Sequence, residues 1–224
     1  PWPKPGEASL AHRGVLFMDE LPEFSRHALE HLRQPLEDGE VTISRAAATL
    51  KFPARFLLLA AMNPCPCGFA TDPKRRCICS VQAIQHYQKR LSGPLLDRFD
   101  LVIEVPRVEI EDLLTTATGE PSAAIRARVC AAREKQTERF IKTPFITNSE
   151  IPSSKLDHWC PVGEQAKDLL RRAIATFHLS ARAYTRVCKV ARTIADLAGA
   201  KNIEAPHIAE ALQFRSEPLI TPLM

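Results

Sequence analysis

The stretch that decides the fold is GVLFMDE at residues 14–20, in which four apolar residues are followed directly by two acids. A short apolar run without alternation is typical of a strand that is covered on both faces, as in a parallel sheet. Similar runs occur as FLLLAA at residues 56–61 and as LVIEV at residues 101–105. Because helical patterns separate the three predicted strands, the sequence predicts an α/β domain.

Two helices and a hairpin are predicted between these strands. One helix spans about residues 25–36, and another spans residues 80–91, with Ser80 as its N-cap and Gly93 as its C-terminal stop. Two β-prone stretches within residues 40–53 are joined by a short polar link, which predicts a hairpin. An irregular excursion is the alternative.

Beyond Pro106 the pattern is helical. Residues 143–159 lack periodicity and are expected to form a loop with a short helix, and Gly199 is expected to end a helix. We therefore predict two domains, an α/β core at residues 1–106 and an all-α domain at residues 107–224. The predicted helices of the second domain span residues 110–118, 122–141, 164–178, 181–197 and 206–214.

Composition limits the protein's class and compartment. The 224 residues are 45% hydrophobic, and a net charge of +4 neither requires nor excludes nucleic acid. No apolar run approaches the ~20 residues that a membrane-spanning helix needs, so no membrane partner is expected. Seven cysteines in a chain that opens without a leader predict reduced thiols and a cytoplasmic protein. Because the chain begins at Pro1, we expect a fragment of a longer protein.

Asp19 and Glu20 would lie at the carboxyl edge of the predicted sheet, where open α/β folds bind their ligands. Asp19 would hold the Mg²⁺ of a nucleotide, because Mg²⁺ prefers few carboxylates together with phosphate oxygens. Glu20 would polarise the attacking water as a general base. The alternative is a strand followed by an acidic turn that has no catalytic function.

Two further side chains occupy corresponding positions. Asn63 follows the second predicted strand at the same edge of the sheet, where its amide could orient the attacking water. Arg98 precedes the third predicted strand, and a guanidinium from a neighbouring subunit could neutralise charge on a transferring phosphoryl group. The alternative for Arg98 is a salt bridge with Asp97 or Asp100.

A cysteine cluster follows Asn63. Its four thiolates could bind Zn²⁺ tetrahedrally, although C-x-C spacing is tighter than the C-x₂₋₄-C of most structural zinc sites. Free thiols in a surface loop are the alternative, but a polar loop has little other reason to hold four cysteines. Cys130, Cys160 and Cys188 fall in helical stretches and are expected to be small buried hydrophobes. The cluster consists of Cys65, Cys67, Cys77 and Cys79.

Basic residues lie in and near the hairpin and the cysteine loop. They could contact DNA phosphates, whose neutralisation dominates non-specific binding, or they could form an ordinary solvated face. These residues are Arg45, Lys51, Arg55, Lys74, Arg75 and Arg76.

Three segments together resemble one family. They are residues 5–24, which contain the acid pair, AMNPCPCG at residues 61–68, and SGPLLDR at residues 92–98. The chain resembles Mg-chelatase-like AAA+ ATPases of the YifB/ComM (competence protein) family over essentially its whole length. The resemblance implies a partial AAA+ parallel sheet from the Walker B strand onward, a pre-sensor-1 hairpin at residues 40–53, and an all-α lid domain.

The resemblance also implies roles for single residues and a function. Asn63 matches sensor 1, Arg98 the arginine finger, and Arg182 the sensor 2 arginine of the lid. The implied function is an ATP-hydrolysing, Mg²⁺-dependent motor that acts as a homo-hexamer on single-stranded or branched DNA during natural transformation or recombination. The alternatives are a Mg-chelatase-type motor subunit for metal insertion, and a non-catalytic, zinc-stabilised nucleic-acid-binding module.

One family motif does not occur in the chain. A P-loop requires the pattern G-x-x-x-x-G-K-[ST], and no Gly-Lys pair occurs anywhere in the sequence. The family carries this motif upstream of the Walker B strand. We therefore expect the chain alone to bind nucleotide poorly and to lack ATPase activity without its upstream part.

Overall fold

A computed structural model describes residues 3–45, 48–108 and 119–215. The chain forms two compact units, of which the first ends at Phe99 and the second begins at Asp100. The first unit combines helices with two small β-sheets, and the second is helical in its described residues. The predicted fold class, an α/β region with a short parallel sheet followed by a helical region, is confirmed.

The first unit is built around two parallel strands, β1 and β4, which pair so that Val15 lies opposite Leu57 and Met18 opposite Ala60. Both strands lie within the predicted apolar runs. In chain order, the elements are α1 (Glu7–Leu10), β1 (Val15–Met18), a 3-10 turn (Leu21–Glu23), α2 (Arg26–His31), α3 (Arg33–Asp38), β2 (Glu40–Arg45), β3 (Ala48–Pro53), β4 (Leu57–Ala60), α4 (Val81–Gln88) and α5 (Gly93–Leu96).

The β1–β4 sheet is covered on one face only. Successive side chains of a strand point to opposite faces. Leu16 and Leu58 pack against a buried core, whereas the alternating residues Val15, Phe17, Leu57 and Leu59 are each more than half exposed. The prediction of strands covered on both faces is therefore wrong for the described residues. The buried core consists of Met18, Leu21, Leu29, Leu32, Leu91 and Leu95.

The helix predicted at residues 25–36 is interrupted. It forms α2 and α3 with a break at Leu32. Pro35 explains the break, because proline has no N–H to donate to the carbonyl of His31 and its ring crowds that carbonyl. Gly39 ends α3 in the left-handed region, with φ 71°, as expected of a glycine C-cap.

A serine caps each of the next two helices. Ser80 caps α4 as predicted, because its hydroxyl accepts from the backbone N–H of Ala83 at 3.2 Å. Gly93 does not stop a helix, so that prediction is wrong. It is the first residue of α5, whose N-cap Ser92 accepts from Leu95 N at 3.3 Å.

The predicted hairpin is confirmed. β2 and β3 pair antiparallel, with Glu40 opposite Pro53 and Thr42 opposite Lys51. The ammonium group of Lys51 donates to the carboxylate of Glu40 at 2.5 Å, which ties the open end of the hairpin. The hydrogen bond that Lys51 donates to Glu40 raises the pKa of Lys51.

The second unit confirms most predicted helices. Each helix predicted at or after residue 122 is present to within two residues, and the helix predicted at residues 110–118 lies outside the described part of the chain. The strand predicted at residues 101–105 is wrong, because no adjacent strand in the described chain supplies a ladder. The elements are α6 (Ser122–Arg139), 3-10 turns (Asn148–Glu150 and Ser153–Lys155), α7 (Leu156–Trp159), α8 (Glu164–Phe177), α9 (Ala181–Leu197) and α10 (Ala205–Gln213).

A buried charge network lies beside the apolar core of the second unit. The carboxylate of Asp196, on α9, is fully buried and accepts hydrogen bonds from Arg139 at 2.7 Å, Asn148 at 2.9 Å and Arg192 at 3.2 Å. Gly199 ends α9 with φ 79°, as predicted. The core itself includes Ile151, Leu170, Val187, Cys188, Ile203 and Ile208. No helix in the described part of the chain is both long and apolar enough to cross a membrane.

Candidate active site

The carboxyl ends of β1 and β4 meet, which brings the acid pair and the segment before Asn63 to one edge of the sheet. The backbone N–H of Ala61 donates to Met18 O at 2.9 Å, and Leu21 N donates to Ala61 O at 2.9 Å. Asp19 and Glu20 lie between these two bonds and are exposed. The structure therefore places the two carboxylates where a ligand can reach them.

Glu20 has an unusual backbone conformation. Its φ of 50° and ψ of 46° are left-handed, a region that costs a residue with a side chain about 1–2 kcal/mol. Two hydrogen bonds hold this turn, one from Glu20 N to Asp19 Oδ1 at 2.9 Å and one from Leu21 N to Ala61 O. Strained residues of this kind concentrate at functional sites, and this one is the second acid of the pair.

Tyr87 is a neighbour of the site that the sequence did not indicate. Its ring is buried, and its phenol hydrogen-bonds to the backbone of Asn63. Burial raises the pKa of Tyr87, as do the nearby charges of Glu23 and Glu20, and these effects outweigh the lowering by the Asn63 backbone. The only sequence signal was the spacing of Ile84, Tyr87 and Leu91 on one helical face.

Arg98 is buried inside the first unit. Its Nη1 donates to Pro94 O at 2.5 Å, its Nη2 donates to the carboxylate of Glu37, and its Nε has no hydrogen-bond partner in the described structure. Only 6% of its side chain is exposed, whereas 43% of the Glu37 side chain is. Arg98 also lines an open cleft of about 440 Å³ together with Glu37, Glu30 and the helix residue His31.

The remaining residue predicted to contact nucleotide, Arg182, lies in the second unit. It occupies the first turn of α9 and is exposed. The N-cap of this helix is Ser180, whose hydroxyl accepts from Ala183 N at 3.2 Å. This capping fixes where the helix begins and therefore which residues form its first turn.

The four cysteines of the predicted cluster converge. Their sulfurs all lie within 4.8 Å of one another, although Cys65 and Cys79 are separated by most of a loop. Cys65 is fully buried, and none of the chain's seven cysteines, all of which are described, forms a disulfide. The structure therefore brings together a set of thiols that sequence spacing indicated only in part.

The thiols of this cluster have divergent pKa values. Hydrogen bonds from the backbone of Phe69 and Ile78 lower the pKa of Cys67 to about 6. Burial raises the pKa of Cys79. A backbone hydrogen bond lowers the pKa of Cys77, but burial and the neighbouring thiols outweigh it and raise this pKa to about 12. Cys67 therefore ionises more readily than Cys77 and Cys79, and a cation bound beside them would favour the thiolate form.

The basic residues near the hairpin and the cysteine loop are solvent-exposed where their side chains are described. The guanidinium of Arg75 lies 5.2 Å from the centre of the Phe69 ring. The backbone N–H groups of Lys74 and Arg75 donate to Asp72 Oδ1 at 2.8 and 2.9 Å, which fixes the turn that carries them.

Comparisons with known proteins agree with these motifs. The chain matches the family models "Magnesium chelatase, subunit ChlI" over residues 1–113 and "Magnesium chelatase, subunit ChlI C-terminal" over residues 119–215. It is 51% identical to "Competence protein ComM" of Haemophilus influenzae and 43% identical to the uncharacterized protein YifB of Escherichia coli, each over 96% of this chain. It covers 41% of either relative, so the chain spans about two fifths of their length.

A more distant match concerns a chelatase itself. The chain is 30% identical to the "Magnesium-chelatase 38 kDa subunit" of Acidiphilium rubrum, over 46% of this chain and 23% of that protein. This match covers less of the chain, at lower identity, than the match to the competence protein.

Proposed function

Because the chain belongs to the magnesium chelatase subunit ChlI family, we propose that it is part of an ATP-hydrolysing AAA+ motor that works as a hexamer on DNA. The observation that carries this proposal is the meeting of the acid pair with the segment before Asn63 at one sheet edge, fixed by the two hydrogen bonds of Ala61. In open α/β sheets this edge is where nucleotides bind. The grip on the phosphates has to come from upstream residues, since the chain has no P-loop.

Each residue of the site has a distinct role in this proposal. Asp19 holds Mg²⁺, which neutralises charge on the phosphates, and Glu20 takes a proton from the attacking water. Asn63 orients that water through its amide. The cofactors are ATP and Mg²⁺, and Zn²⁺ at the cysteine cluster is a third.

The two arginines would act on the phosphates from outside this edge. Arg98 would serve a neighbouring subunit as its arginine finger, and Arg182 would serve as the sensor 2 residue. In the structure Arg98 is paired with Glu37, so in this role it exchanges a carboxylate for a phosphoryl group. Such an exchange is chemically reasonable, because a guanidinium binds both groups in the same planar geometry.

The comparisons support a competence-related role over metal insertion, and DNA is taken as the substrate on that basis. Identity to the competence protein is 51% over 96% of the chain, whereas identity to the chelatase subunit is 30% over 46%. Exposed basic residues in and near the hairpin and the cysteine loop fit a single-stranded or branched polyanion. The proposed location is the cytoplasm, where thiols stay reduced.

Glu20→Gln in the full-length protein tests the catalytic assignment. Loss of the general base should lower steady-state phosphate release by about 10²–10⁴-fold while ATP binding persists. Glu7→Gln, at an exposed acid of α1, is the matched control and should turn over normally. Unchanged phosphate release by Glu20→Gln would remove Glu20 from the mechanism.

Subunit mixing tests the role of Arg98 and the hexamer together. Arg98→Ala subunits should be inactive alone but regain partial activity when mixed with Glu20→Gln subunits, because each supplies what the other lacks at a shared interface. No rescue among intact hexamers would leave Arg98 with a structural role only. Branched DNA should stimulate the ATPase; stimulation by a porphyrin substrate instead would favour the chelatase alternative.

A further inference from the structure

The cysteine cluster has the geometry of a metal site. A tetrahedral ion bound about 2.3 Å from four sulfurs would set those sulfurs about 3.8 Å apart. The measured Sγ–Sγ distances are 3.4 Å for Cys65–Cys67, 3.7 Å for Cys65–Cys77 and 3.5 Å for Cys67–Cys77. Cys79 places its sulfur within 4.8 Å of the other three. These distances are far longer than the ~2.05 Å of a disulfide, so the cluster is a set of reduced ligands.

The ligand set indicates which ion binds. Soft thiolates in a tetrahedral set select Zn²⁺ or iron over Mg²⁺ and Ca²⁺, which require oxygen ligands. A site with four protein ligands has no open position for water, and such closed zinc sites are structural. The site is separate from the acid pair, which consists of the oxygen ligands that suit Mg²⁺.

We infer that Cys65, Cys67, Cys77 and Cys79 bind one Zn²⁺ in a closed structural site, and that this site holds Asn63 in position. The metal-binding half of this inference stands on the cluster alone. The positioning half rests on the proposed ATPase function, in which Asn63 orients the attacking water.

The first link to Asn63 is a tight turn. Cys65 follows Asn63 by two residues and is fully buried, so the chain is anchored directly after the amide. The backbone N–H of Gly68 donates to Cys65 O at 3.0 Å, which folds the loop back. Gly68 has φ 83°, and a Cβ built there would lie 4.0 Å from the amide atoms of Asn63. The turn that holds the cysteines therefore packs beside the Asn63 side chain.

The second link runs through α4. Cys79 directly precedes Ser80, the N-cap of this helix, so an ion at the cluster would tie the start of the helix to the end of the β4 segment. The other end of α4 also contacts that segment, because Gln88 Nε2 donates to Pro64 O at 3.1 Å and Tyr87 contacts the Asn63 backbone. A metal clip that closes the loop between Cys65 and Cys79 limits its conformational freedom and so keeps these contacts in place.

Metal analysis tests the first half. Protein purified under reducing conditions should contain about one zinc per chain, and Cys77→Ser should lower both the zinc content and the melting temperature. Cys130 is exposed on α6, so the prediction that it is buried is wrong, and Cys130→Ser is the matched control that should change neither. Co²⁺ substitution should produce thiolate-to-cobalt charge-transfer absorption that Cys77→Ser abolishes. Iron in place of zinc, or no bound metal, would overturn the zinc site.

Kinetics of the full-length protein test the second half. Cys77→Ser should lower kcat for ATP hydrolysis by about tenfold or more and leave KM nearly unchanged, because the loop affects orientation of water rather than the grip on ATP. Adding Asn63→Ala to Cys77→Ser should cause little further loss. A zinc-free variant that keeps its kcat would overturn the positioning role and leave the zinc site intact.

Hydrogen exchange separates failure of this inference from failure of the proposed ATPase. In the Cys77→Ser protein, the backbone amides of residues 63–68 should exchange faster than in wild type, whereas Cys130→Ser should leave them unchanged. This readout does not depend on ATP hydrolysis. If the wild-type protein lacks ATPase activity but Cys77→Ser still speeds exchange, the proposed ATPase function fails and the link between the metal site and Asn63 is supported. If exchange is unchanged in Cys77→Ser, that link is overturned.

Discussion

Each unit buries an arginine, and the two arginines differ in how many of their N–H groups have a hydrogen-bond partner. Arg192 in the second unit donates from Nε to Asp196 at 3.2 Å and from its two Nη atoms to the carbonyls of Ala200 and Lys201 at 2.8 Å. Arg98 in the first unit donates to Pro94 O and to Glu37, but its Nε is unpaired in the described structure. A complete set of partners is typical of a structural network, whereas an incomplete one is typical of a group that changes partners.

The carboxylates that pair with these two arginines also differ in burial. The Asp196 side chain is fully buried, while 43% of the Glu37 side chain is exposed. The sheet of the first unit also leaves Val15 and Phe17 more than half exposed. The comparison teaches that the two units satisfy a buried arginine to different degrees, because Arg192 pairs with a buried carboxylate and two carbonyls while Arg98 pairs with a partly exposed carboxylate and one carbonyl.

The largest effect on stability is expected from Asp196→Ala. The change removes the carboxylate that pairs with Arg139 and Arg192, and it leaves Arg192 as a buried charge without a counter-charge. Breaking a buried ion pair in this way typically lowers the free energy of unfolding by about 3–5 kcal/mol. Urea unfolding, followed by a signal from the second unit, measures the loss. Asp168→Ala is the matched control on an exposed pair with Arg171 and should cause no measurable change. If Asp196→Ala lowered the free energy of unfolding only slightly, the contrast between Arg192 and Arg98 would not hold.

The pH dependence of stability tests the contribution of Asp196 in a second way. Burial alone would raise the pKa of Asp196, but hydrogen bonds from Arg139 and Asn148 and the charge of Arg192 outweigh it and hold the pKa below its ordinary value of 3.8. A depressed folded-state pKa stabilises the fold above the unfolded-state value, and this contribution is lost as pH falls through the folded-state value. The stability difference between wild type and Asp196→Asn should therefore shrink below about pH 4.

A smaller effect is expected from Glu37→Gln. Because 43% of the Glu37 side chain is exposed, water can take over part of what its carboxylate supplies to Arg98, which lines the open cleft, so the loss of stability should be smaller than at Asp196. Unfolding of the first unit should shift slightly, while the ATPase rate of the full-length protein should not fall. A loss as large as that of Asp196→Ala would make Arg98 a structural residue like Arg192.

Two helix-ending glycines, one in each unit, compare the units at single backbone positions. Both Gly39 and Gly199 have positive φ, so alanine should cost about 1–2 kcal/mol at either position. At Gly199 the nearest atom to a new Cβ is Lys135 Nζ at 3.5 Å, whereas at Gly39 it is Arg55 Cγ at 2.6 Å. Any loss of stability at Gly39 beyond that at Gly199 measures the steric conflict between the new Cβ and the Arg55 side chain. Gly199→Asn should lose less than Gly199→Ala, because asparagine tolerates this conformation.

Much of the architecture could be predicted because it depends on neighbours in the chain. The runs at β1 and β4 share an uninterrupted apolar pattern, and Ser80 caps a helix through the backbone three residues on. The helix at Ala181–Leu197 begins and ends where its periodicity and Gly199 indicate. The position of the acid pair could be predicted for the same reason, because the pair directly follows the apolar run of β1.

The errors of prediction arose where the outcome depends on distant residues. LVIEV at residues 101–105 has a strand composition, but a strand needs a partner, and the described chain offers Val102 only the carbonyl of Phe214. Gly93 was expected to stop a helix, yet Ser92 caps a new helix there. Pairings over long separations, such as that of Arg98 with Glu37, leave no periodic trace in the sequence.

The sequence by itself determined the β1 and β4 strands, the hairpin, the Ser80 cap, the helices from residue 122 onward and the residue types of the site, because hydrophobic period and capping act over a few residues. Only the tertiary structure decided that four thiols converge, that Tyr87 contacts the Asn63 backbone, and that Arg98 is buried against Glu37. The tertiary structure also left one face of the β1–β4 sheet exposed. These outcomes depend on how distant segments pack, and packing balances burial, hydrogen bonding and chain entropy over the whole unit rather than along a local stretch.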